Sequence, residues 1–474
     1  MAGKIETLRH RLSHAGPRLR QGIILAGLML ALPVVGMLIA SRVSLNFVLP
    51  VILAPILFGI AANRLQWSVV GIFFTAAFVR FTLPSGTHSR IVASLLFTAL
   101  LVVIWVSRMM LAGRVQLRSS PAHKPLIAFI LVSIISYIWG IAFRDPLLTV
   151  WDTWGFVQLG ALAVMVLLPC AFLLASEWLG DLRLLRWLVR LTLLVGGLTL
   201  LDQYTSLPLG WVQSRPLFPL WFASLGLGQA LYNRQLSNSH RAVILGLVSA
   251  WTLYTLSEWL GWVSAWLPTF LAMGYIALRR SRLFFALLIV LALIFVMLNW
   301  TEVTMLYHEQ RIESGETRVD AWINSMQVLR GHFIFGVGPA GYAAYYMYYY
   351  PEEAMATHNN YLDILLQAGV VGLAVFALFL GALGYIAIDL LHRIRGRGDF
   401  IEAFGTGAAG GLLGTVVAMG LGDWVIPFVY TQTIEGYDYA VYTWLFLGAM
   451  AALHRMITKG EIEIEKMKEW VGID

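Results

Sequence analysis

The sequence has little charge and almost no cysteine. Only 12% of its 474 residues are Asp, Glu, Lys or Arg, whereas 59% are hydrophobic. Ordinary soluble domains carry about a quarter charged residues, so this chain is not suited to water as its solvent. The same composition excludes a disordered or collagen-like chain. The single cysteine, Cys170, lies in an apolar run without a partner, which excludes a disulfide-stabilised secreted domain.

Long apolar runs are abundant. A transmembrane helix needs about 20 mostly apolar residues, and we predict fourteen such spans. They lie at residues 22–41, 45–61, 66–82, 90–111, 124–143, 153–175, 187–201, 217–232, 242–257, 260–278, 283–299, 360–386, 400–421 and 438–456. The sequence therefore predicts an all-α, polytopic membrane bundle of about 12 to 14 spans.

The positions of Lys and Arg predict the orientation of the bundle. With a cytoplasmic N-terminus, most of the 33 basic residues fall on inner segments, among them Arg279, Arg280, Arg393 and Arg395. The net charge of +7 thus follows the positive-inside rule and indicates no nucleic-acid partner. The first apolar run is too long for a signal peptide, so we interpret it as a retained helix. We predict a cytoplasmic tail (1–21), eleven spans (22–299), an external loop (300–359), three spans (360–456) and a cytoplasmic tail (457–474).

The external loop at 300–359 is long enough to carry function. Its segment from Thr317 to Gly331 has Trp322, Ile323, Met326 and Leu329 at helical spacing, which predicts a helix on the membrane or on the bundle. The loop contains three arginines against seven carboxylates. Any anion binding there must therefore depend on individual arginines.

Two further patterns follow that helix. Gly336-Val337-Gly338-Pro339 is a turn signal, and Gly341-Tyr342 precedes a run of tyrosines that ends at Tyr350. The tyrosines are typical of an aromatic belt at the membrane interface, or of a platform on which sugars stack.

The most specific pattern is His358-Asn359, then nine residues, then Gly369-x-x-Gly372. With this signature the sequence resembles the O-antigen ligase and polymerase superfamily. The helix with Arg318 and Trp322 and the stretch from Phe335 to Pro339 also resemble that family's large periplasmic loop. The resemblance covers roughly residues 240–385, with a weaker extension back to Arg215.

The resemblance implies an inner-membrane enzyme of a bacterial envelope with a periplasmic active site. Such an enzyme transfers a glycan from an undecaprenyl pyrophosphate carrier to an acceptor hydroxyl, with inversion and without a metal, nucleotide sugar or other cofactor. A lipid A core acceptor would make it a ligase, a second carrier-linked glycan a polymerase, and a protein hydroxyl an oligosaccharyltransferase. The alternatives from other classes are a glycolipid transporter or flippase and a non-catalytic scaffold.

His358 is the candidate catalytic base. An imidazole accepts a proton near neutral pH, and this one lies where the twelfth predicted span begins, so the positive end of that helix and its free N–H groups would face an anion. The alternative is that His358 or Asn359 simply caps the helix.

Arg318 and Arg215 are the candidate pyrophosphate ligands, because a guanidinium fork matches phosphate oxygens. Arg330 is a weaker candidate, since a cation at a helix C-terminus also suits the helix dipole. For Arg318 the alternatives are a pair with Asp320 or Glu316, or stacking on Trp322. Arg215 departs from the family pattern because no Gly and no Pro-Asn pair follows it.

The weaker candidates for substrate binding also include Asn359, Asp363 and Tyr342. Asn359, Asp363 and Gln367 form a polar stripe on the predicted helix, and Asp363 could orient His358, contact an acceptor hydroxyl or bond to another helix. Tyr342 and Asn359 are predicted to contact substrate.

Asp423, Glu435 and Asp438 could line an acceptor entrance or be solvated. Glu258 stands where the family commonly has Arg. A metal site is not predicted, because no His-x-x-x-His pair, cysteine ligand or tight Asp cluster is present.

Overall fold

The computed structural model describes residues 65–85, 89–114, 117–205, 207, 212, 217–258, 260–309, 316–351 and 357–461. Arg215, the first two predicted spans and both predicted tails, apart from residues 457–461, lie outside these ranges. The described residues from 69 onward cluster as one compact unit.

Helices make up nearly all of the regular structure in these ranges. They are α1 (Leu65–Phe78), α2 (Ala93–Ala112), α3 (His123–Ala142), α4 (Trp154–Trp178), α5 (Leu182–Tyr204), α6 (Phe218–Tyr232), α7 (Asn238–Glu258), α8 (Val263–Arg280), α9 (Arg282–Leu298), α10 (Trp300–Glu309), α11 (Glu316–Leu329), α12 (Gly341–Tyr349), α13 (Asn360–Ile394), α14 (Phe400–Leu421), α15 (Val429–Gln432) and α16 (Gly436–Thr458). Strands β1 (Thr82–Pro84) and β2 (Arg90–Val92) pair antiparallel.

The all-α membrane architecture is confirmed. Within the described ranges, seven helices are long and apolar enough to cross a membrane: α2, α3, α4, α5, α13, α14 and α16. The predicted spans at 66–82, 217–232, 242–257, 260–278 and 283–299 also form helices, which are shorter or less apolar than these seven. The predicted number of spans therefore stays a prediction. The β1–β2 hairpin was not predicted, because three-residue strands give no readable periodicity.

Glycine contacts hold the central helices close together. A Cβ on Gly228 of α6 would lie 2.5 Å from the carbonyl oxygen of Ala403 and 3.2 Å from Cα of Gly407, both on α14. A Cβ on Gly448 of α16 would lie 2.6 Å from the carbonyl oxygen of Phe172 on α4. Small residues of this kind let helix backbones approach within a membrane. They hold α14 and α16 in place, and the end of α14 and the start of α16 border the site described below.

Helix α13 is broken at Gly369, which has the left-handed φ of 68°. The break frees backbone groups, and the segment that precedes α12 pairs with them. The N–H groups of Val337 and Gly338 donate to the carbonyl groups of Leu366 and Gln367 at 2.9 and 3.1 Å, and Val370 donates in return to Phe333 at 2.9 Å. The segment with Gly336 and Gly338 and the segment with Gly369 therefore meet in one backbone contact.

The contact leaves no room for a side chain at Gly369. A Cβ there would overlap the carbonyl group of Ile334, and the positive φ favours glycine in any case. We expect Gly369→Ala to lower the free energy of unfolding by roughly 2 kcal/mol or more. Gly381→Ala is the matched control: Gly381 lies on the same helix, a Cβ there would meet nothing within 4 Å, and alanine favours a helix. Thermal unfolding in detergent measures both, and equal melting temperatures would contradict the role of Gly369.

Candidate functional site

Asn359 caps the N-terminus of α13. Its side-chain oxygen accepts hydrogen bonds from the N–H groups of Tyr361 and Leu362 at 3.0 and 3.3 Å, and its carbonyl oxygen accepts from Asp363 at 2.9 Å. The expectation that these N–H groups face an anion is therefore wrong, because the cap already occupies them. Asn359 itself has an extended backbone, so the predicted polar stripe begins outside the helix.

His358 precedes this cap in the left-handed conformation, with φ at 47°. Such a backbone is uncommon for a residue other than glycine, and residues of this kind cluster at functional sites. The side chain is 37% exposed, and Nδ1 lies 3.9 Å from Oδ1 of Asp423. The structure thus leaves the imidazole open to solvent on one side and places a carboxylate on the other.

Asp423 follows the end of α14 and is buried, with a side-chain exposure of 5%. It accepts hydrogen bonds from the N–H of Phe428 at 3.4 Å and from Nε2 of Gln432 at 3.3 Å. Asn360 ties the same loop to α13, because its amide accepts from the N–H of Val425 at 2.9 Å and donates to the carbonyl oxygen of Ile426 at 2.7 Å. Sequence reasoning missed Asn360 and gave Asp423 only a minor role.

Arg318 lies near the start of α11 and is half-buried. Burial lowers the pKa of its guanidinium, and the nearby carboxylate of Asp423 opposes that change. Its Nε has no hydrogen-bond partner among the described residues. Of the three predicted alternatives, neither a pair with Asp320 nor stacking on Trp322 occurs among the ion pairs and ring contacts of the described residues. The side chain of Glu316, the third alternative, lies outside the described residues. Trp322 instead donates from Nε1 to the carbonyl oxygen of Thr357 at 2.7 Å, which joins α11 to the residue before His358.

Asp363 lies beneath this group and is 1% exposed. Its Oδ1 accepts from the hydroxyls of Thr357 at 2.6 Å and Tyr342 at 3.0 Å. Tyr342 is fully buried and stacks on Phe428 at a centroid distance of 4.2 Å. Burial, with Asp363 nearby, raises the pKa of Tyr342 well above its ordinary value, so the phenol stays a donor. Tyr342 therefore supports Asp363, and no part of its surface is open to the predicted substrate contact.

The other predicted residues lie elsewhere. Arg330 is exposed just beyond the C-terminal end of α11, twelve residues from Arg318, which is roughly 18 Å along a helix. Asp438 is buried and bonded to Ser94, so it is not a solvated charge. Arg215 lies outside the described residues. Glu258 lines a cavity of about 800 Å³ together with Asn299 and Glu302.

The tyrosine run divides between buried and exposed positions. Tyr345 and Tyr346 are buried, and Tyr345 bonds through its hydroxyl to Nε2 of His332 at 3.0 Å, whereas Tyr348 and Tyr349 are exposed. The buried members are part of the packing of α12 and offer no face to a sugar. Across the described ranges, no three His, Cys, Asp or Glu side chains form a group suited to a metal ion.

Residues 242–377, from α7 into α13, match the family described as O-antigen ligase. This match supports the O-antigen ligase and polymerase superfamily. Together with the candidate membrane spans, it supports a membrane glycosyltransferase of the ligase or polymerase type. The matched segment contains Arg318, His358 and Gly369, whereas Asp423 lies beyond it. No curated protein matches the chain significantly.

The cap of α13 can be separated from substrate binding at Asn359. We expect Asn359→Ala to lower the free energy of unfolding by about 1 kcal/mol, since two N–H groups lose their acceptor. Asn359→Asp should keep the melting temperature near that of the unaltered protein, because Asp caps helices as well as Asn does. If Asn359→Asp retains stability and still loses glycan transfer, Asn359 also contacts substrate, as the sequence predicted. Equal stability of all three proteins would contradict the cap.

Proposed function

We propose that the protein is an O-antigen ligase, which transfers a glycan from an undecaprenyl pyrophosphate-linked donor to a hydroxyl of lipid A core on the periplasmic side of the inner membrane. The observation that carries this proposal is the group formed by a partly exposed His358, a buried Asp423 and a half-buried Arg318. It combines a proton acceptor with a cation at one surface of a membrane bundle. Both termini would then be cytoplasmic, as the distribution of Lys and Arg predicts.

His358 acts as the general base in this proposal. The acceptor hydroxyl gives its proton to the imidazole while its oxygen forms a bond to the anomeric carbon of the donor glycan. The bond from that carbon to the carrier's phosphate oxygen breaks, and the electron pair leaves with the diphosphate. A single displacement of this kind inverts the anomeric centre. Asp423 stabilises the imidazolium that forms, because its carboxylate is buried 3.9 Å from Nδ1.

Arg318 balances the charge that develops on the departing diphosphate. Its guanidinium is partly removed from water, and Nε lacks a protein partner, so a phosphate oxygen would satisfy a donor that is otherwise costly to bury. An arginine in this role supplies the positive charge that a divalent cation supplies in other phosphate-releasing enzymes. We therefore propose a transfer that needs no added metal.

The identity of the acceptor distinguishes a ligase from a polymerase. The choice of a ligase follows the description of the matching family, and the same site chemistry would also serve a polymerase that joins two carrier-linked repeats. An enzyme is favoured over a glycolipid transporter because the polar group lies at the beginning of α13 and the end of α14, away from mid-membrane.

Transfer by purified protein in detergent tests this function. The assay contains carrier-linked donor, lipid A core and a second carrier-linked glycan as competing acceptors, and EDTA, and products are identified by mass spectrometry. We expect transfer to lipid A core that survives EDTA, and at least a hundredfold lower rate for His358→Ala, because general-base catalysis contributes about 10²–10⁴-fold. His392→Ala is the matched control, since His392 is exposed at the opposite end of α13.

Each outcome of that assay decides one part of the proposal. Product on the second glycan only would make the enzyme a polymerase. Loss of transfer with EDTA and rescue by a divalent ion would refute the metal-free reaction. Equal rates for His358→Ala and His392→Ala would refute the catalytic base and leave a transporter or scaffold.

Arg318→Lys tests the contact with the diphosphate. We expect a loss of about tenfold or more in kcat, because lysine keeps the charge but not the two-pronged donor geometry. Arg330→Lys should transfer at a nearly normal rate, since Arg330 is exposed away from the group. Equal losses of kcat in the two variants would show that Arg330 also contributes to transfer. Normal activity of Arg318→Lys would contradict the contact between Arg318 and the diphosphate.

A further inference from the structure

A second polar site lies at the other end of the same helices. Helix α13 begins beside His358 and ends at Ile394, and α14 returns from Phe400 to the loop of Asp423. At the far ends of both helices is a cavity of about 180 Å³. The part of α13 that follows the break at Gly369 spans roughly 38 Å, more than the hydrocarbon core, so this cavity opens at the opposite membrane face.

Four arginines line this cavity, and helices α6, α8 and α13 contribute to it. The arginines are Arg234, Arg279, Arg280 and Arg395, and the acidic residue among the lining side chains is Glu402. All four arginines are exposed, whereas Glu402 is buried. The cationic groups thus form the mouth of the cavity, and the carboxylate lies in its wall.

Contacts within the wall of the cavity position two of the arginine side chains. The hydroxyl of Tyr232 donates to the carbonyl oxygen of Ile276 at 3.1 Å, which joins α6 to α8. The guanidinium carbon of Arg280 lies 5.9 Å from the centre of the Tyr232 ring, and that of Arg279 lies 6.0 Å from the Tyr275 ring. Both distances suit cation–π contacts, which direct the side chains without neutralising them.

The carboxylate of Glu402 is committed to the protein itself. Its two oxygens accept hydrogen bonds from the N–H groups of Gly396 and Gly398 at 2.9 and 2.6 Å. Both glycines have positive φ, so this loop conformation favours glycine. Among the ion pairs of the described residues, none includes any of the four arginines of the cavity. The cavity therefore carries an excess of positive charge that the described part of the chain does not balance.

We infer that this cavity binds a phosphate group. Guanidinium groups donate paired hydrogen bonds to phosphate oxygens, and several around one concavity repel one another unless an anion lies between them. The volume corresponds to roughly six water molecules, which suits a phosphate group with its hydration and is small for a drug-sized ligand. The phosphate belongs to an anionic lipid headgroup or to a soluble phosphate, and the position at the membrane face favours the lipid. This site does not depend on the proposed glycan transfer.

Lipid binding by the purified full-length protein tests the inference. Native mass spectrometry in detergent measures the affinity for phosphatidylglycerol, which is anionic, with phosphatidylcholine, which is zwitterionic and has no net charge, as the comparison. We expect the double variant Arg279→Gln/Arg280→Gln to bind phosphatidylglycerol about tenfold more weakly or worse, because two charge-assisted contacts are lost. Arg282→Gln removes one positive charge two residues further along the chain but outside the cavity, and it should change the affinity less than about twofold.

A second arm identifies the source of the phosphate group. The same proteins are titrated with inorganic phosphate and inorganic pyrophosphate. Binding of phosphatidylglycerol that the cavity variants weaken assigns the site to lipid, whereas binding of the inorganic anions alone, weakened by the same variants, assigns it to a soluble phosphate. Arg395 lines the cavity from the loop after α13, and Arg395→Gln should weaken binding of whichever ligand binds. The test therefore does not depend on correct folding of the double variant. The inference is overturned if neither ligand binds, or if Arg282→Gln weakens binding as much as the cavity variants do.

Discussion

The break in α13 at Gly369 is the constraint on which the rest of the site depends. A membrane helix cannot leave backbone groups unpaired, so the chain that approaches the break must satisfy them. The segment from Phe333 to Gly338, between α11 and α12, does so. That pairing fixes where α12 begins, which in turn places Tyr342 against Asp363. The break at Gly369 therefore determines where the segment before α12 packs, and this segment forms one wall of the site.

Burial of carboxylates is the second constraint. Asp363 and Asp423 lie within electrostatic range of each other and are both buried. Such groups are costly without donors, and the donors come from several elements: hydroxyls of Thr357 and Tyr342, an amide from Gln432 and a backbone N–H. His358 and Arg318 are the cationic or protonatable neighbours of Asp423. The site thus combines two buried carboxyl groups with a partly exposed imidazole and a half-buried guanidinium.

Local sequence predicted the parts of this arrangement that lie close together along the chain. The helix of Arg318 was predicted from periodicity as Thr317–Gly331 and is confirmed as Glu316–Leu329. The glycine turn after it is confirmed by the positive φ of Gly336 and Gly338. Asp423 could not be predicted with the same force, because it reaches His358 from the end of another helix and no spacing rule links the two. The role of Tyr342 was misjudged, because its burial depends on stacking against Phe428, which is distant in sequence.

The two ends of α13 and α14 show opposite arrangements of charge, and each suits the ligand proposed for it. At the end with His358, single cations lie beside buried carboxylates in a loop that is acidic overall, so anionic lipids in general gain little by approaching. In this proposal, a diphosphate binds at a guanidinium with an unpaired N–H donor, which is that of Arg318. At the far end, arginines outnumber the carboxylate and that carboxylate is bonded to its own loop. An excess of this kind would attract an anionic phosphate headgroup that reaches the membrane surface, which fits a site for anchorage rather than for chemistry. Under the two proposals, the same pair of helices separates selective binding at one face from general electrostatic attachment at the other.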